Sequence, residues 1–305
     1  MAHWWQDPAV RGHMVEALVH LNRAADSDAL VPATQVCEVY FYALNRMWNA
    51  LAQSAGHSTR ADAPSFIELL ESLTEGSQST LLASPVLGDL IDLTPEVMDH
   101  HTLRSHGYRP GQKISSSLRR DVTERHRKLR NARGAFRQGG SDAASNRMLK
   151  RLAEFLYVIR SNIAHGEKTP YGPDLEKSKR DEQVSGLTIP VQKLVVNLLL
   201  DRPDWKLVAY STLAPGGANE HVLAEVGGQW TPCIIHGEVQ QENGLKLFRW
   251  TPWGVAIEAS LLSSPALQDF WQRLDRFEGM RYGRHLVTIE VNGIWGVATI
   301  YEARD

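Results

Sequence analysis

The sequence is poor in several features that mark large classes of protein. It has two cysteines, Cys37 and Cys233, far apart in the chain, so neither a disulfide framework nor a cysteine-based zinc site is available. No apolar run reaches the ~18 residues that a membrane-spanning helix needs, and the first residues lack the basic start and apolar core of a signal peptide. We therefore expect a cytoplasmic protein with no membrane partner.

The chain also has no excess of charge of one sign. Its 33 basic and 35 acidic side chains leave a formal net charge of −2, which indicates neither nucleic acid nor a membrane as a partner. The composition is that of an ordinary globular protein, with 43% apolar and 22% charged residues. At ~150 residues per domain, the 305 residues predict two domains.

Apolar side chains recur at three- and four-residue spacing through the first two hundred residues, which is the period of a helix. The pattern predicts helices at residues 33–53, 118–136, 143–165 and about 191–200. Residues 54–111 are less regular, with short helical pieces and a loop at residues 99–107. The helix at 143–165 is apolar over most of its circumference, which predicts a central place in a bundle or against a second subunit.

After residue 203 the pattern becomes alternating, as is typical of strands. Strands are predicted at residues 206–210, 232–239, 246–250, 255–261, 285–291 and 295–301. One helix interrupts them, with Ser264 as its N-cap, Pro265 in its first position and Gly279 at its end. The predicted fold class is α+β, with an all-α bundle at residues 1–203 followed by a small mixed β-barrel at residues 204–305.

Two segments of the second domain are specific enough to suggest a family. They read VAYSTLAPGGAN at residues 208–219 and LDRFEGMRYGR at residues 274–284. Together they resemble the gamma-glutamylcyclotransferase-like family over about residues 205–303. The resemblance implies that the backbone of a loop holds the carboxylate of a substrate and that Glu278 is the catalytic acid and base. That loop consists of Tyr210, Ser211, Thr212 and Leu213, with Ser211 where the family usually has Gly.

The chemistry of such a site follows from the reaction. Cyclising a γ-glutamyl group to 5-oxoproline requires a base for the substrate's ammonium and an acid for the leaving amine, and one carboxylate can serve as both. Glu278 lies at the predicted end of a helix, where the negative pole of the dipole raises the pKa of its carboxyl group. Amides of a Gly-rich turn supply donors to an anion. Tyr282 and Arg284 are further candidates for lining the pocket.

A second motif lies at the end of the long apolar helix of the first domain, where residues 160–165 read RSNIAH. It resembles the HEPN superfamily, whose helical bundles carry an Arg-x(4–6)-His signature. The resemblance implies either a metal-independent endoribonuclease, with Arg160 and His165 as catalytic residues, or an inactive helper module. Five residues along a helix give a rotation of about 140°, so Arg160 and His165 of one chain do not share a face. A homodimer would bring the two together.

Local charge supports an RNA partner for the first domain. Residues 113–151 contain twelve basic and three acidic side chains, a stripe that suits a phosphate backbone or a solvated helix face. Arg119, Arg127 and Arg130 of this basic stripe are candidate RNA contacts, and so are the two polar residues after Arg160, Ser161 and Asn162. Three histidines, His100, His101 and His106, match no standard metal site, and we expect neither a metal nor a cofactor.

Three hypotheses follow from the sequence. The favoured hypothesis is a cyclotransferase-like pocket that acts on a γ-glutamyl or related amino-acyl small molecule, joined to a dimerising HEPN-like domain. The alternative is an endoribonuclease, as in a toxin or a defence effector, that the other domain regulates. In the third hypothesis both domains are binding modules without catalytic activity.

Overall fold

The structure of the protein is a computed structural model. It describes residues 7–27, 31–57, 63–109, 112–164, 175–242 and 245–304. By its contacts the chain divides into two compact units. The barrel unit consists of Met1–Asp26 and Asn197–Asp305, and the helical unit is Ser27–Val196.

Helices dominate the amino-terminal part of the chain. The helices are α1 (Arg11–Ala25), α2 (Ala33–Ser54), α3 (Ala63–Glu71), α4 (Glu75–Ala83), α5 (Pro85–Leu93), α6 (His100–Ser105), α7 (Ser116–Val122), α8 (Glu124–Gly139), α9 (Asp142–Ala164), α10 (Leu175–Leu199) and α11 (Leu267–Glu278). The long apolar helix α9 contacts α2, α3, α4, α6 and α8, which makes it the centre of the helical unit. None of the helices in the described part of the chain could span a membrane.

Two helical predictions need correction. The segment predicted as a loop at 99–107 contains α6, because the Asp99 carboxylate accepts hydrogen bonds from the amides of His101 (3.1 Å) and Thr102 (3.2 Å) and so caps a helix too short to show a period. The helix predicted at 118–136 is broken at Thr123. There the carbonyl of Val122 accepts a hydrogen bond from the Asp99 amide (2.7 Å), a partner outside its own helix.

The strands form a mixed β-barrel, which confirms the predicted α+β class. They are β1 (Lys206–Ala209), β2 (Gln229–Glu242), β3 (Leu245–Trp250), β4 (Val255–Ser263), β5 (Tyr282–Val291) and β6 (Ile294–Ala303). Their order is β3-β2-β4-β1-β6-β5, and a pairing of β2 with β5 closes five of them, with β3 as the extra strand. The β1–β6 pairing is parallel and the others are antiparallel.

Strand β1 separates two apolar cores, because successive side chains of a strand point to opposite faces. Val208 belongs to a core that takes buried residues from all six strands. Leu207 and Ala209 belong to a second core, which β1, β4 and β6 share with α11. Burial of Leu267, Trp271 and Leu274 at helical spacing therefore fixes one face of α11 against the barrel.

The interruption of the strands by α11 is confirmed, with a later start than predicted. Ser264, the predicted N-cap, lies in a turn that precedes the helix, and the capping position is Ala266. The helix ends at Gly279 as predicted, and this residue has a φ of 70°. A left-handed conformation of that kind favours glycine, because it has no Cβ to clash with the backbone.

Helix α1 packs against strand β5 of the barrel unit. The Asn22 amide donates to the carbonyl of Leu286 (3.0 Å), and its oxygen accepts from the amide of Leu286 (2.7 Å). One side chain thus takes the place of a neighbouring strand where β5 does not pair with β2. The domain limits 1–203 and 204–305 stay a prediction. The helical period of α1 does not show whether this helix packs against other helices or against the barrel.

The end of α1 meets β5 and β6 at a partly buried histidine, His285. His285 Nδ1 lies 2.7 Å from Glu302 Oε2, and its Nε2 lies 2.8 Å from Asp26 Oδ1. Burial by itself lowers the pKa of His285, but the hydrogen bonds to Glu302 and Asp26 and the charges of the two carboxylates outweigh it and raise the pKa. Arg249 and Arg304 line the same cavity of about 350 Å³.

We predict that the contacts of His285 with Glu302 and Asp26 stabilise the protein more at pH 6 than at pH 9. A raised histidine pKa gives stability that is full below the unfolded value of about 6.5 and is lost as the pH rises through the folded value. His285→Gln should therefore lower the free energy of unfolding by about 1–3 kcal/mol at pH 6 and by clearly less at pH 9, as measured by urea unfolding. The exposed His221→Gln is the control, and a pH-independent loss in His285→Gln would contradict the prediction.

Candidate functional site

One small pocket of the barrel unit brings together both segments of the cyclotransferase-like resemblance. Its walls are residues 208–213, Lys246, Glu278, Tyr282 and Tyr301, and we call it the Glu278 pocket. The cavity has a volume of about 80 Å³, which is room for several water molecules or the polar end of a small molecule. The predicted acid and base therefore lies around one cavity with the predicted substrate-binding residues Tyr210, Ser211, Thr212, Leu213 and Tyr282, whereas the further candidate Arg284 is not among the lining residues.

The loop of the Glu278 pocket begins at Tyr210, which the barrel holds in place. The Tyr210 hydroxyl accepts a hydrogen bond from the Phe248 amide (3.3 Å) and donates to the Lys246 carbonyl (3.5 Å). The rings of Tyr210 and Phe248 are 5.3 Å apart. Since both partners belong to β3, the end of β1 is tied to a strand with which it does not pair.

Three consecutive amides of this loop have no acceptor. The N–H groups of Ser211, Thr212 and Leu213 donate no hydrogen bond to any residue that the structure describes. The amides that follow do have acceptors, because that of Ala214 donates to the Ser211 carbonyl (3.1 Å) and that of Gly216 to Glu220 Oε2 (2.8 Å). Unpaired amides in succession are the donors that an anion-binding turn needs.

Two backbone features fix the shape of the loop. Ser211 is not among the residues with positive φ, so this position does not demand the glycine that the family usually has there. Gly217 is different, because a Cβ atom built on it would lie 2.4 Å from the carbonyl oxygen of Thr212. The loop therefore folds back on itself at a contact that only glycine allows.

Glu278 is the last residue of α11 and its side chain is half-buried in the pocket wall. Burial raises the pKa of its carboxyl group to about 7. The direction is the one expected from the sequence, and partial removal of the carboxylate from water is its cause in the structure. A carboxyl group with this pKa exchanges protons readily near neutral pH.

Two wall residues of the Glu278 pocket carry no motif in the sequence. Lys246 lies on β3 and Tyr301 on β6, and neither strand belongs to the matched segments. The alternating pattern of β6 predicts that Tyr301 shares a face with its second neighbours, but not that this face meets α11. Tyr282, the weaker candidate from the sequence, completes the wall.

The motif of the helical unit is described only in part. Arg160 is half-buried on α9, and His165 lies outside the described residues. Ser161 is buried, and Asn162 is 1% exposed, with its amide donating to the Met98 carbonyl (2.8 Å) and its oxygen accepting from the His100 amide (3.2 Å). These hydrogen bonds give Asn162 a structural role inside the helical unit.

Most of the basic stripe has partners within the helical unit. Arg119 pairs with Glu96 (2.8 Å), and Arg130 donates to the carbonyls of Ile91 (3.3 Å) and Thr94 (3.0 Å). Further side chains of the stripe with partners are Arg125, Lys128, Arg133, Arg137 and Arg151. The exposed basic residues of the stripe whose side chains show neither an ion pair nor a hydrogen bond in the described part of the chain are Lys113, Arg120, Arg127, Arg147 and Lys150.

The histidines of the segment 99–106 do not form a metal site with their neighbours. Asp99 caps α6 and pairs with Arg125. His106 Nδ1 lies 2.9 Å from the carbonyl oxygen of Thr102. Within the ranges that the structure describes, no group of three or more His, Cys, Asp or Glu side chains is arranged to hold a metal ion.

We predict that Gly217→Ala disrupts the loop of the Glu278 pocket. The new methyl group would overlap the Thr212 oxygen, so the free energy of unfolding should fall by about 1–3 kcal/mol in urea unfolding. Gly134→Ala in α8 is the control, because a Cβ there meets open space and should stabilise the helix by about 0.5–1 kcal/mol. A Gly217→Ala protein as stable as the parent would refute the close contact.

No protein-family model, curated protein or solved structure matches this chain. The inference of its function therefore begins from its own residues and from the geometry of the pocket and the helices.

Proposed function

We propose that the Glu278 pocket binds a γ-glutamyl or related amino-acyl group and that Glu278 transfers protons during its cyclisation. The observation that carries this proposal is that a carboxyl group with a pKa of about 7 lines one cavity with three residues whose amides have no acceptor in the described part of the chain. An acid and base near neutrality next to an anion site is what the reaction requires.

The amides account for the binding step. The α-carboxylate of the substrate accepts hydrogen bonds from the N–H groups of Ser211, Thr212 and Leu213, and no charged side chain is needed. The volume of about 80 Å³ suits this end of the substrate, while the amine that will leave extends out of the cavity.

Glu278 accounts for the proton transfers. Its carboxylate takes a proton from the α-ammonium, and the amine then attacks the γ-carbonyl carbon to form a five-membered ring and a tetrahedral centre. The bond to the leaving nitrogen breaks as the protonated Glu278 returns its proton to that nitrogen. The ring nitrogen then gives up its extra proton through Glu278 to the departing amine. The products are 5-oxoproline and an ammonium ion, and Glu278 is again a carboxylate.

We predict that Glu278→Gln lowers the release of 5-oxoproline from γ-glutamyl amides by about 10²-fold or more, because the variant keeps the shape of the side chain and loses the titrating group. In the parent, kcat/KM should rise with pH through about 7, where the Glu278 carboxyl ionises. The exposed Glu238→Gln is the control and should keep full activity. Equal turnover in the parent and in Glu278→Gln would exclude the catalytic role.

For the helical unit we propose binding of RNA by a homodimer, with cleavage as the second candidate function of the protein. The observation that favours it is the set of five exposed basic residues of the stripe whose side chains have neither an ion pair nor a hydrogen bond to the described residues. In such a site His165 takes the proton of a ribose 2′-hydroxyl and Arg160 offsets charge on the phosphate. No step requires a metal ion.

We predict that the unpaired and the paired arginines of the stripe differ in their effect on RNA affinity. Arg120→Gln and Arg127→Gln should each lower the affinity for a single-stranded RNA and reduce its salt dependence, whereas the neighbouring Arg119→Gln, whose charge pairs with Glu96, should have little effect. Cleavage, if it accompanies binding, should persist in EDTA and disappear in His165→Ala. Equal losses in Arg119→Gln and Arg120→Gln would refute the distinction, and sedimentation of the full chain as a monomer would remove the composite site.

A further inference from the structure

The side chain of Tyr301 links the Glu278 pocket to a polar chain on α11. Tyr301 is 5% exposed, and it lines the pocket together with Glu278. Its hydroxyl donates a hydrogen bond to Asp275 Oδ1 over 2.8 Å. Asp275 lies three residues before Glu278 on α11, which is about one turn of the helix.

Asp275 is itself held from the other side. Arg284 Nε lies 2.9 Å from Asp275 Oδ1, and the Arg284 guanidinium lies 5.0 Å from the ring centroid of the buried Trp271. An arginine is always charged and donates only, so the Asp275 carboxylate acts as acceptor both for the guanidinium and for the Tyr301 hydroxyl. Arg284 and Tyr301 therefore both donate to Asp275, which fixes the direction of the hydrogen bond made by the Tyr301 hydroxyl.

This direction determines what the Tyr301 oxygen offers. A tyrosine hydroxyl has one hydrogen, and in Tyr301 that hydrogen is used by Asp275. The oxygen keeps its lone pairs, so it can accept hydrogen bonds, but the hydroxyl has no second hydrogen to donate. Burial, the hydrogen bond to Asp275 and the charges of Asp275 and Glu278 all raise the pKa of this hydroxyl, so it stays a neutral acceptor.

The two other tyrosines of the wall do not offer the same chemistry. The Tyr210 hydroxyl is engaged with the backbone of β3 on both its donor and its acceptor side. The Tyr282 hydroxyl has no hydrogen-bond partner among the described residues, so its hydrogen is free to donate to a substrate oxygen. Of the three tyrosines, Tyr301 is therefore the one whose oxygen can only accept, which suits a cationic donor in a pocket whose wall also contains the Glu278 carboxyl group.

We propose that Tyr301 accepts a hydrogen bond from the α-ammonium of the substrate and that Asp275 and Arg284 are positioning residues that fix its hydroxyl for this purpose. The inference rests on the proposed function and deepens it, because it names the amine as the group that the pocket selects. The selected substrates are those with a free α-amine, and an acyl group without one lacks this contact.

The test compares two ligands that differ only in the amine. They are the γ-methylamide of L-glutamate and its analogue without the α-amine, the monomethylamide of glutarate. Binding of both is measured by calorimetry in the Glu278→Gln background, where turnover is suppressed. A hydrogen bond to a charged group should make the amine-bearing ligand bind about 10-fold to 100-fold more tightly.

Tyr301→Phe added to that background should bring the two affinities within about twofold of each other, without changing the affinity for the glutarate amide. The control, Tyr282→Phe, should keep the preference for the amine. Asp275 is 41% exposed and keeps Arg284 as a partner, so the loss of the Tyr301 hydroxyl should leave the fold intact, which thermal unfolding checks.

Asp275→Asn separates positioning from structural support. The variant keeps an acceptor for the Tyr301 hydroxyl but loses the charge that orients it, so we expect a reduced preference for the amine and an unchanged affinity for the glutarate amide. A preference that survives in Tyr301→Phe, or that disappears in Tyr282→Phe instead, would overturn the proposal. Binding of neither ligand, together with a parent that releases no 5-oxoproline, would overturn the proposed function and this inference with it.

Discussion

The Glu278 pocket depends on the way in which strand β1 ends. Tyr210 bonds to the backbone of β3, and the chain turns back so tightly that Gly217 touches the carbonyl of Thr212. Between these two points the amides of Ser211, Thr212 and Leu213 find no acceptor among the residues that the structure describes. A loop free to relax would pair such donors with nearby carbonyls. The bonds of Tyr210 to β3 and the tight turn at Gly217 limit that relaxation.

The same pocket holds a conflict between burial and charge. The barrel and α11 take the Glu278 carboxyl group partly out of water, which raises its pKa to about 7. A carboxyl group with a raised pKa stabilises the fold only below its unfolded value and costs stability as the pH rises through 7. Retaining such a group in a pocket wall is typical of sites where a proton is transferred, because stability is given up for reactivity.

The helical unit shows why a count of charges can mislead. The basic stripe has an excess of positive charge over residues 113–151, yet Arg119, Arg125 and Arg133 pair with acidic residues that lie earlier in the chain. The pairs join α8 and its neighbours to the segment that contains Glu96 and Asp99. A local sum of charges in the sequence cannot include partners that only the packing of helices brings near.

The sequence by itself determined the features that depend on the local spacing of residues along the chain. The helical and alternating periods predicted the long helices α2 and α9, all six strands and the end of α11 at Gly279, because burial of one face imposes a fixed spacing. The motifs at residues 208–219 and 274–284 singled out Glu278 and the loop from Tyr210 to Leu213, and these residues do line one cavity.

The tertiary structure alone decided what depends on contacts between distant residues. It placed Tyr301 and Lys246 in the pocket wall, packed α1 against β5 through Asn22, and broke the helix at Thr123 through a bond from Asp99. It also made burial the cause of the raised pKa of Glu278. Each of these outcomes follows from which side chain or backbone group comes within hydrogen-bond distance of another after folding, and a period along the chain contains no such information.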